Sequence, residues 1–197
     1  MFQTPLDKIY IVIPAKDEER FIRPVIETTL ALGFKNVVIV NDNSSDQTKE
    51  VALSYGDNIT VLDHVINLGA GAATKTGIDY AVAKGATYIA TIDADYQHNP
   101  KDLIPLIKCI EKQEVDLVIG SRFLKRNGVP LSRLFFNLIG NVVNYFVTGL
   151  VISDSQSGMK VMSRRFAENL TITYNGFEFC IEIIKNAKIN KLSLIHI

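Results

Sequence analysis

The sequence predicts an α/β protein built on a mostly parallel sheet flanked by helices. Two patterns predict it. Short β-branched runs recur along the chain as far as Ile119, and helix-length stretches with apolar residues near a 3.6-residue period lie between them. Parallel neighbours need a crossover of a dozen residues or more, which those stretches supply.

The first strand is expected over Ile9 to Ile13 and the first helix over Phe21 to Leu32, ended by Gly33. Val37 to Val40 is the second strand, and Gln47 to Tyr55 the helix that Gly56 closes. The third strand, Ile59 to Leu62, precedes a helix from Ala70 to Lys84 ended by Gly85. Tyr88 to Ile92, a helix over Leu103 to Glu111 behind Pro100, and Val115 to Ile119 complete the alternation. Further on, Leu131 to Val151 is the most apolar stretch. Arg133, Asn137, Asn141, Asn144 and Thr148 recur there at steps of four, four, three and four, drawing one polar stripe along a helix. A wide apolar face with a narrow polar stripe suits a membrane interface or a packed core, whereas a full span would leave several amides in lipid. Lys191 to Ile197 reads as a strand that stops with the chain.

Composition narrows the function classes. The chain has 197 residues, 47% of them hydrophobic, and its 21 basic side chains balance 21 acidic ones, so a single domain with a sizeable core is expected and a disordered or disulfide-stapled chain is not. Without net positive charge or a Lys/Arg block, nucleic acid is not an expected partner, because binding it means neutralising phosphates. Cys109 and Cys180 lack metal-type spacing and read as buried free thiols in a reducing compartment. The N-terminus shows no export signal, and no internal repeat interrupts the chain.

Each of the five expected strands up to Ile119 runs into a polar cluster, and in open α/β sheets ligands bind outside the carboxyl ends of the strands. Asp93, Asp95 and Gln97 are spaced two apart, so an extended backbone would aim three oxygen donors to one side. Hard oxygen ligands select Mg or Mn and would suit a diphosphate leaving group; a solvated turn capping the helix after Pro100 explains the same residues. Asn41 to Asp46 offers acceptors for a nucleobase and ribose, Asp42 above all, or a turn with Asp46 as helix cap. Gly69-Ala70-Gly71 begins like a dinucleotide fingerprint but has Thr74 where the third glycine should be, and close backbone passage explains the glycines as well. Asp154 to Lys160 reads as a loop and Gly176 to Phe179 as a helix start, with Glu178 as a cap or a partner of Lys185. His64, His98 and His196 share no metal or triad spacing.

Taken in order, I-P-A-K-D-E-E, V-N-D-N-S-S-D, N-L-G-A-G-A-A, D-A-D-Y-Q-H-N-P, G-S-R-F, P-L-S-R, D-S-Q-S-G-M-K and G-F-E-F resemble the inverting nucleotide-sugar glycosyltransferases of family 2. The resemblance is nearest to the dolichyl or polyprenyl phosphate mannosyl- and glucosyltransferase branch and runs from about residue 8 to the end. It implies a glycosyltransferase A-type, Rossmann-like nucleotide-binding sheet, a Mn2+ or Mg2+ ion, a nucleotide-sugar donor of the GDP-mannose or UDP-glucose type, and a lipid phosphate acceptor. The expected place is the cytoplasmic face of a membrane, held peripherally. By the match of motifs, Pro14, Ala15, Glu18 and Asp42 hold base and ribose, while Asp93, Asp95 and Gln97 sit at the metal and diphosphate. Arg122 and Arg133 bind phosphates, a task that suits a guanidinium fork, and Asp154 orients the acceptor or acts as base. The nucleotide half would cover about 1–120 and the acceptor half about 121–197. The family pattern continues past Ile197, so the chain is expected to end short of it. It departs from that pattern at Lys16, Asn41, Met159, Lys160 and Cys180, positions that bear on base and sugar choice. Two other readings are a family-2 enzyme adding sugar to a saccharide hydroxyl, with Asp154 as a true base, and a nucleotide-binding protein without turnover. A dinucleotide oxidoreductase ranks last.

Overall fold

A computed structural model describes residues 2–121, 141–142, 144–152, 154–176 and 178–197. It contains a seven-stranded sheet of order β3-β2-β1-β4-β6-β5-β7. The strands are β1 (Ile9–Ala15), β2 (Asn36–Asn41), β3 (Thr60–Asp63), β4 (Tyr88–Thr91), β5 (Leu117–Ile119), β6 (Lys160–Ser163) and β7 (Leu194–His196). β1 pairs parallel with β2 and β4, β2 with β3, and β5 with β7; β6 runs antiparallel between β4 and β5. The mostly parallel expectation therefore holds, with one reversed strand, β6, that begins at Lys160, the last residue of the expected loop.

The helices are α1 (Ile22–Ala31), α2 (Thr48–Leu53), α3 (Ala70–Ala83), α4 (Leu103–Gln113), α5 (Arg164–Glu168) and α6 (Phe179–Ile189). Strand alternation sends side chains to two apolar layers. Ile9, Ile11 and Ile13 of β1 join Val37 and Ile39 of β2 beneath α1 and α4, where Val25, Ile26, Ile107 and Ile110 are buried. Val12, Val38 and Val40 face the other way, against Ala73, Ile78 and Ala81 of α3 and Ile183 and Ile184 of α6. Removing each such Val or Ile side chain from water contributes about 1.5–3 kcal/mol, so both faces hold the sheet.

Through β5, expected and observed boundaries agree to within a residue or two, and the last strand starts at Leu194 instead of Lys191. β5 starts at Leu117 rather than Val115 because the Asp116 carboxylate is taken up by Ser193 N–H (3.1 Å), Ser163 Oγ (3.1 Å) and Arg165. That knot also aligns β7, after a left-handed turn at Lys191.

Of the apolar stretch from Leu131 to Val151, residues 141–142 and 144–148 are helical, and the part before Asn141 lies outside the described residues. The polar stripe points inward there. Asn144 and Thr148 are fully buried. Asn144 Nδ2 donates to Leu150 O (2.9 Å), Thr148 Oγ1 to Asn144 O (2.8 Å), and Asn141 Oδ1 accepts from Ser155 N–H (3.0 Å). The apolar side chains consequently face out, with Phe146 82% and Val151 81% exposed. No helix among the described residues is long and apolar enough to cross a membrane.

Candidate active site

The parallel strands end at one edge of the sheet, and there the polar segments surround a cleft of about 620 Å³. That is within the usual range for a small-ligand site. Pro14 and Ala15 at the end of β1, Glu18 just after it, Asp42 after β2, and Asp93, Asp95 and Gln97 after β4 all line it. Arg122 and Arg133 lie outside the described residues.

The first wall is two loops laced together. Lys16 Nζ donates to Asn43 O (2.8 Å), Glu18 N–H to Thr48 Oγ1 (2.7 Å) and Glu19 N–H to Asp46 Oδ2 (3.0 Å). Asp17 accepts from Ser45 N–H (2.6 Å), which, with Lys16 beside it, lowers its carboxyl to about 2. Asp46 also accepts from Thr48 N–H at the start of α2, so it works in the turn and not in the cleft. Asp42 is different. Burial alone would raise its carboxyl, but Leu68 N–H (2.8 Å), His64 Nδ1 (2.8 Å) and Gly69 N–H (2.7 Å) outweigh burial and hold it below the ordinary range. A buried, ionised carboxylate thus orders the loop that carries Asn67 and Gly69 into the cleft.

The glycines of that loop serve close packing. A Cβ on Gly69 would strike Asn175 O and one on Gly71 would strike Tyr174 O, while Gly71 N–H donates to Asn175 O (2.9 Å). The second explanation of Gly69-Ala70-Gly71, backbone approach, is the one realised locally.

Asp93 to Gln97 meets at the cleft for a reason other than alternation. β4 ends at Thr91, and the chain then turns, with Tyr96 at φ 58° and Asp95 Oδ1 accepting from Gln97 N–H (2.9 Å). The expected extended register is therefore corrected to a turn, yet the turn still presents all three residues to the cavity. Asp93 lies directly against Gly158, where a Cβ would occupy the place of its carboxylate. Thr91 Oγ1 donates to Gly158 O (2.7 Å), and Ser157 Oγ lies 3.2 Å from His98 Nε2. These contacts bind the turn after β4 to the segment before β6.

From that segment Gln156 and Gly158 line the cleft, whereas Asp154 is fully buried and not among the lining residues. Gly176, Phe179 and Cys180 supply the far wall. Glu178 stands at the N-cap of α6 without a capping side-chain bond, and no ion pair to Lys185 occurs among the described residues. Sequence reasoning passed over Asn67 and Asn175 as lining residues and His64 as the partner of Asp42; Lys160, noted there only as a departure from the family pattern, is buried, and its ammonium donates to Ser157 O and lies 3.5 Å from Cys180 Sγ. The run H-V-I-N ahead of the glycines was the available signal for His64 and Asn67.

Electrostatics at the mouth favour a cation. Burial raises the Glu18 carboxyl, and Asp95, Asp46, Asp93 and Asp17 push it further up. Among the described residues no three His, Cys, Asp or Glu side chains form a closed metal cage. The donor set of Asp93, Asp95 and Gln97 nevertheless suits Mg2+ or Mn2+, which bind through one or two carboxylates and complete their shell with water and substrate phosphates.

Comparison with known proteins agrees with this architecture. The family model described as Glycosyl transferase family 2 matches residues 10–171. An uncharacterized protein of Methanocaldococcus jannaschii is 35% identical over 193 residues, spanning 95% of this chain and 79% of that protein. UDP-N-acetylglucosamine--dolichyl-phosphate N-acetylglucosaminyltransferase of Methanococcus voltae is 30% identical over 94% of this chain and 82% of its own length. Glucosyl-3-phosphoglycerate synthase from Mycobacterium tuberculosis, solved with Mn2+, uridine diphosphate and phosphoglyceric acid, superposes with a TM-score of 0.75 at 19% identity, over 95% of this chain and 67% of that one. At that identity the likeness shows the fold alone.

Proposed function

The chain belongs to glycosyl transferase family 2, and from that membership we propose that it transfers one sugar, with inversion, from a nucleoside diphosphate sugar to a polyprenyl or dolichyl phosphate. The donor is of the GDP-mannose or UDP-glucose type. The observation that carries the reading is the meeting, in one nucleotide-sized cleft, of Pro14, Ala15 and Asp42 with the carboxylates of Glu18, Asp93 and Asp95. The Methanococcus voltae relative, whose name gives a dolichyl phosphate as acceptor, supports the acceptor class.

Pro14, Ala15, Glu18 and Asp42 hold base and ribose. Asp93, Asp95 and Gln97 would hold a divalent ion beside the donor diphosphate; when bound, that ion would neutralise the charge that grows on the leaving group. The bond from the anomeric carbon to the diphosphate breaks as a bond to an acceptor phosphate oxygen forms on the opposite face, and the nucleoside diphosphate departs. An acceptor phosphate is anionic at neutral pH, so placement counts for more than a strong base. Arg122 and Arg133 bind phosphates. Asp154, from its buried place in the segment that carries Gln156 and Gly158, fixes the acceptor side.

The acceptor implies a membrane surface, and the outward apolar face of Tyr145, Phe146, Val147 and Val151 is suited to lie in it, on the cytoplasmic side. The test is transfer of labelled sugar from UDP and GDP donors to polyprenyl phosphate, read as label extracted into organic solvent. Manganese-dependent label that disappears in Asp95→Ala is expected. Label that appears on saccharides and never in lipid would overturn the acceptor.

A further inference from the structure

We propose that His64, backed by Thr76, is a positioning residue that sets the Asp42 carboxylate and through it the affinity for the donor nucleotide. The inference rests on the reading that places Asp42 at the base and ribose. His64 Nδ1 lies 2.8 Å from Asp42 Oδ1, and His64 Nε2 lies 3.0 Å from Thr76 Oγ1 on α3. The histidine side chain is 9% exposed and the aspartate 3%. His64 N–H also donates to Asn41 O (2.9 Å), so the residue is tied to the end of β2 by backbone as well as ring.

This geometry fixes the tautomer. An ionised carboxylate only accepts, so the proton facing Asp42 sits on Nδ1, and in the neutral ring Nε2 accepts from the Thr76 hydroxyl. The three residues form a chain from the body of α3 to the cleft. Leu68 N–H and Gly69 N–H occupy further acceptor sites on Asp42, one on each oxygen. Held by three donors spread over both oxygens, the carboxylate is fixed in one orientation at the wall of the cavity that Asp42 lines. A carboxylate held this way meets a nucleobase N–H or ribose hydroxyl without reorganising.

The ring can be taken apart by substitution. Asparagine places an amide N–H where Nδ1 stands, and glutamine places it nearer Nε2. A residue that merely fills space would not distinguish them. Binding of UDP and GDP with manganese is measured for His64→Asn, His64→Gln, His64→Ala and Thr76→Val, alongside Asp42→Ala and the melting temperature of each. We expect His64→Ala and His64→Gln to weaken binding by roughly 10- to 100-fold, in line with the loss of an orienting partner behind a binding group, and Thr76→Val by a few-fold. His64→Asn should stay within about threefold of the wild type even if it melts lower, because the Nδ1 donor is restored. In turnover the loss should fall on KM for the donor, with kcat kept. Equal affinities for the Asn and Gln variants, weak or strong, overturn the positioning role. If Asp42→Ala binds nucleotide like the wild type, the reading of Asp42 fails and the inference with it; if Asp42→Ala loses binding and the His64 variants do not, the inference alone fails.

Discussion

Gly158→Ala is the substitution that most directly probes how the site is assembled. The added methyl would enter the space of the Asp93 carboxylate. Gly158 is not among the positive-φ glycines, so the penalty is contact and not backbone conformation. The glycine cannot easily retreat. Its carbonyl accepts from Thr91 Oγ1 (2.7 Å), and β6 begins two residues later in register with β4. Asp93 therefore has to give way. Overpacking of this kind costs about 1–3 kcal/mol, which for a chain of this length lowers the melting temperature by roughly 2–12 °C. The sharper consequence concerns the ligand. A nucleotide at about a hundred times its Kd stabilises the native state by about 2.7 kcal/mol, roughly 5–11 °C here. With Asp93 displaced, the manganese-dependent part of that gain should vanish, as it should in Asp93→Asn. Thermal melts with GDP and UDP, with and without manganese, read both effects. A variant that melts with the wild type and keeps its full manganese-dependent shift would show that Gly158 and Asp93 do not constrain each other.

Three further outcomes follow from the same geometry. Glu18→Gln should raise the melting temperature at neutral pH, since the folded-state carboxyl is shifted up by burial and by Asp95, Asp46, Asp93 and Asp17 and its ionisation opposes folding. The gain should fade as pH falls through the raised folded value and be gone below the ordinary glutamate value, where both states are protonated, and manganese should narrow it at pH 7; a pH-independent difference would refute the charge argument. Asp116→Asn should cost about 1.5–3 kcal/mol at neutral pH, because burial of this carboxyl is outweighed by Arg165, Ser193 and Ser163, which lower its pKa. That stability is present above the unfolded value and lost as pH falls through the folded one, so urea melts of wild type and variant should converge in acid. Phe146→Ser with Val147→Ser should leave the melt unchanged, both side chains being exposed, while lowering binding to phosphatidylcholine vesicles carrying phosphatidylglycerol; unchanged vesicle binding would remove this face from the membrane reading.

Much of the fold was legible because its signals are local. The β-branched run from Ile9 to Ile13 marks a strand buried on both faces, helical periodicity in Ala70 to Lys84 marks a helix, and chain neighbours suffice to read both. The placing of polar clusters after strands likewise pointed to one edge of the sheet. β6 escaped notice because a four-residue strand beginning with a buried lysine has no pattern of its own. It exists through its pairing with Thr91 on one side and Ile119 on the other.

The candidate site divides in the same way. The residue types of Asp93, Asp95 and Gln97 were visible in the sequence, but what brings them to one cavity is a turn locked by Gly158 and by His98 near Ser157, which no spacing rule contains. Asp42 was visible as an acceptor; that three donors hold it, one from His64, was not. The polar stripe from Asn141 to Thr148 was correctly periodic, yet periodicity is blind to which face turns inward. The sequence by itself determined the succession of elements, their periodicity and the stock of oxygen donors, because these depend on residues a few positions apart. Only the tertiary structure decided strand order, the reversed β6, the inward polar stripe and the partners of each carboxylate, because those depend on contacts between segments tens of residues apart, whose closure local pattern does not encode.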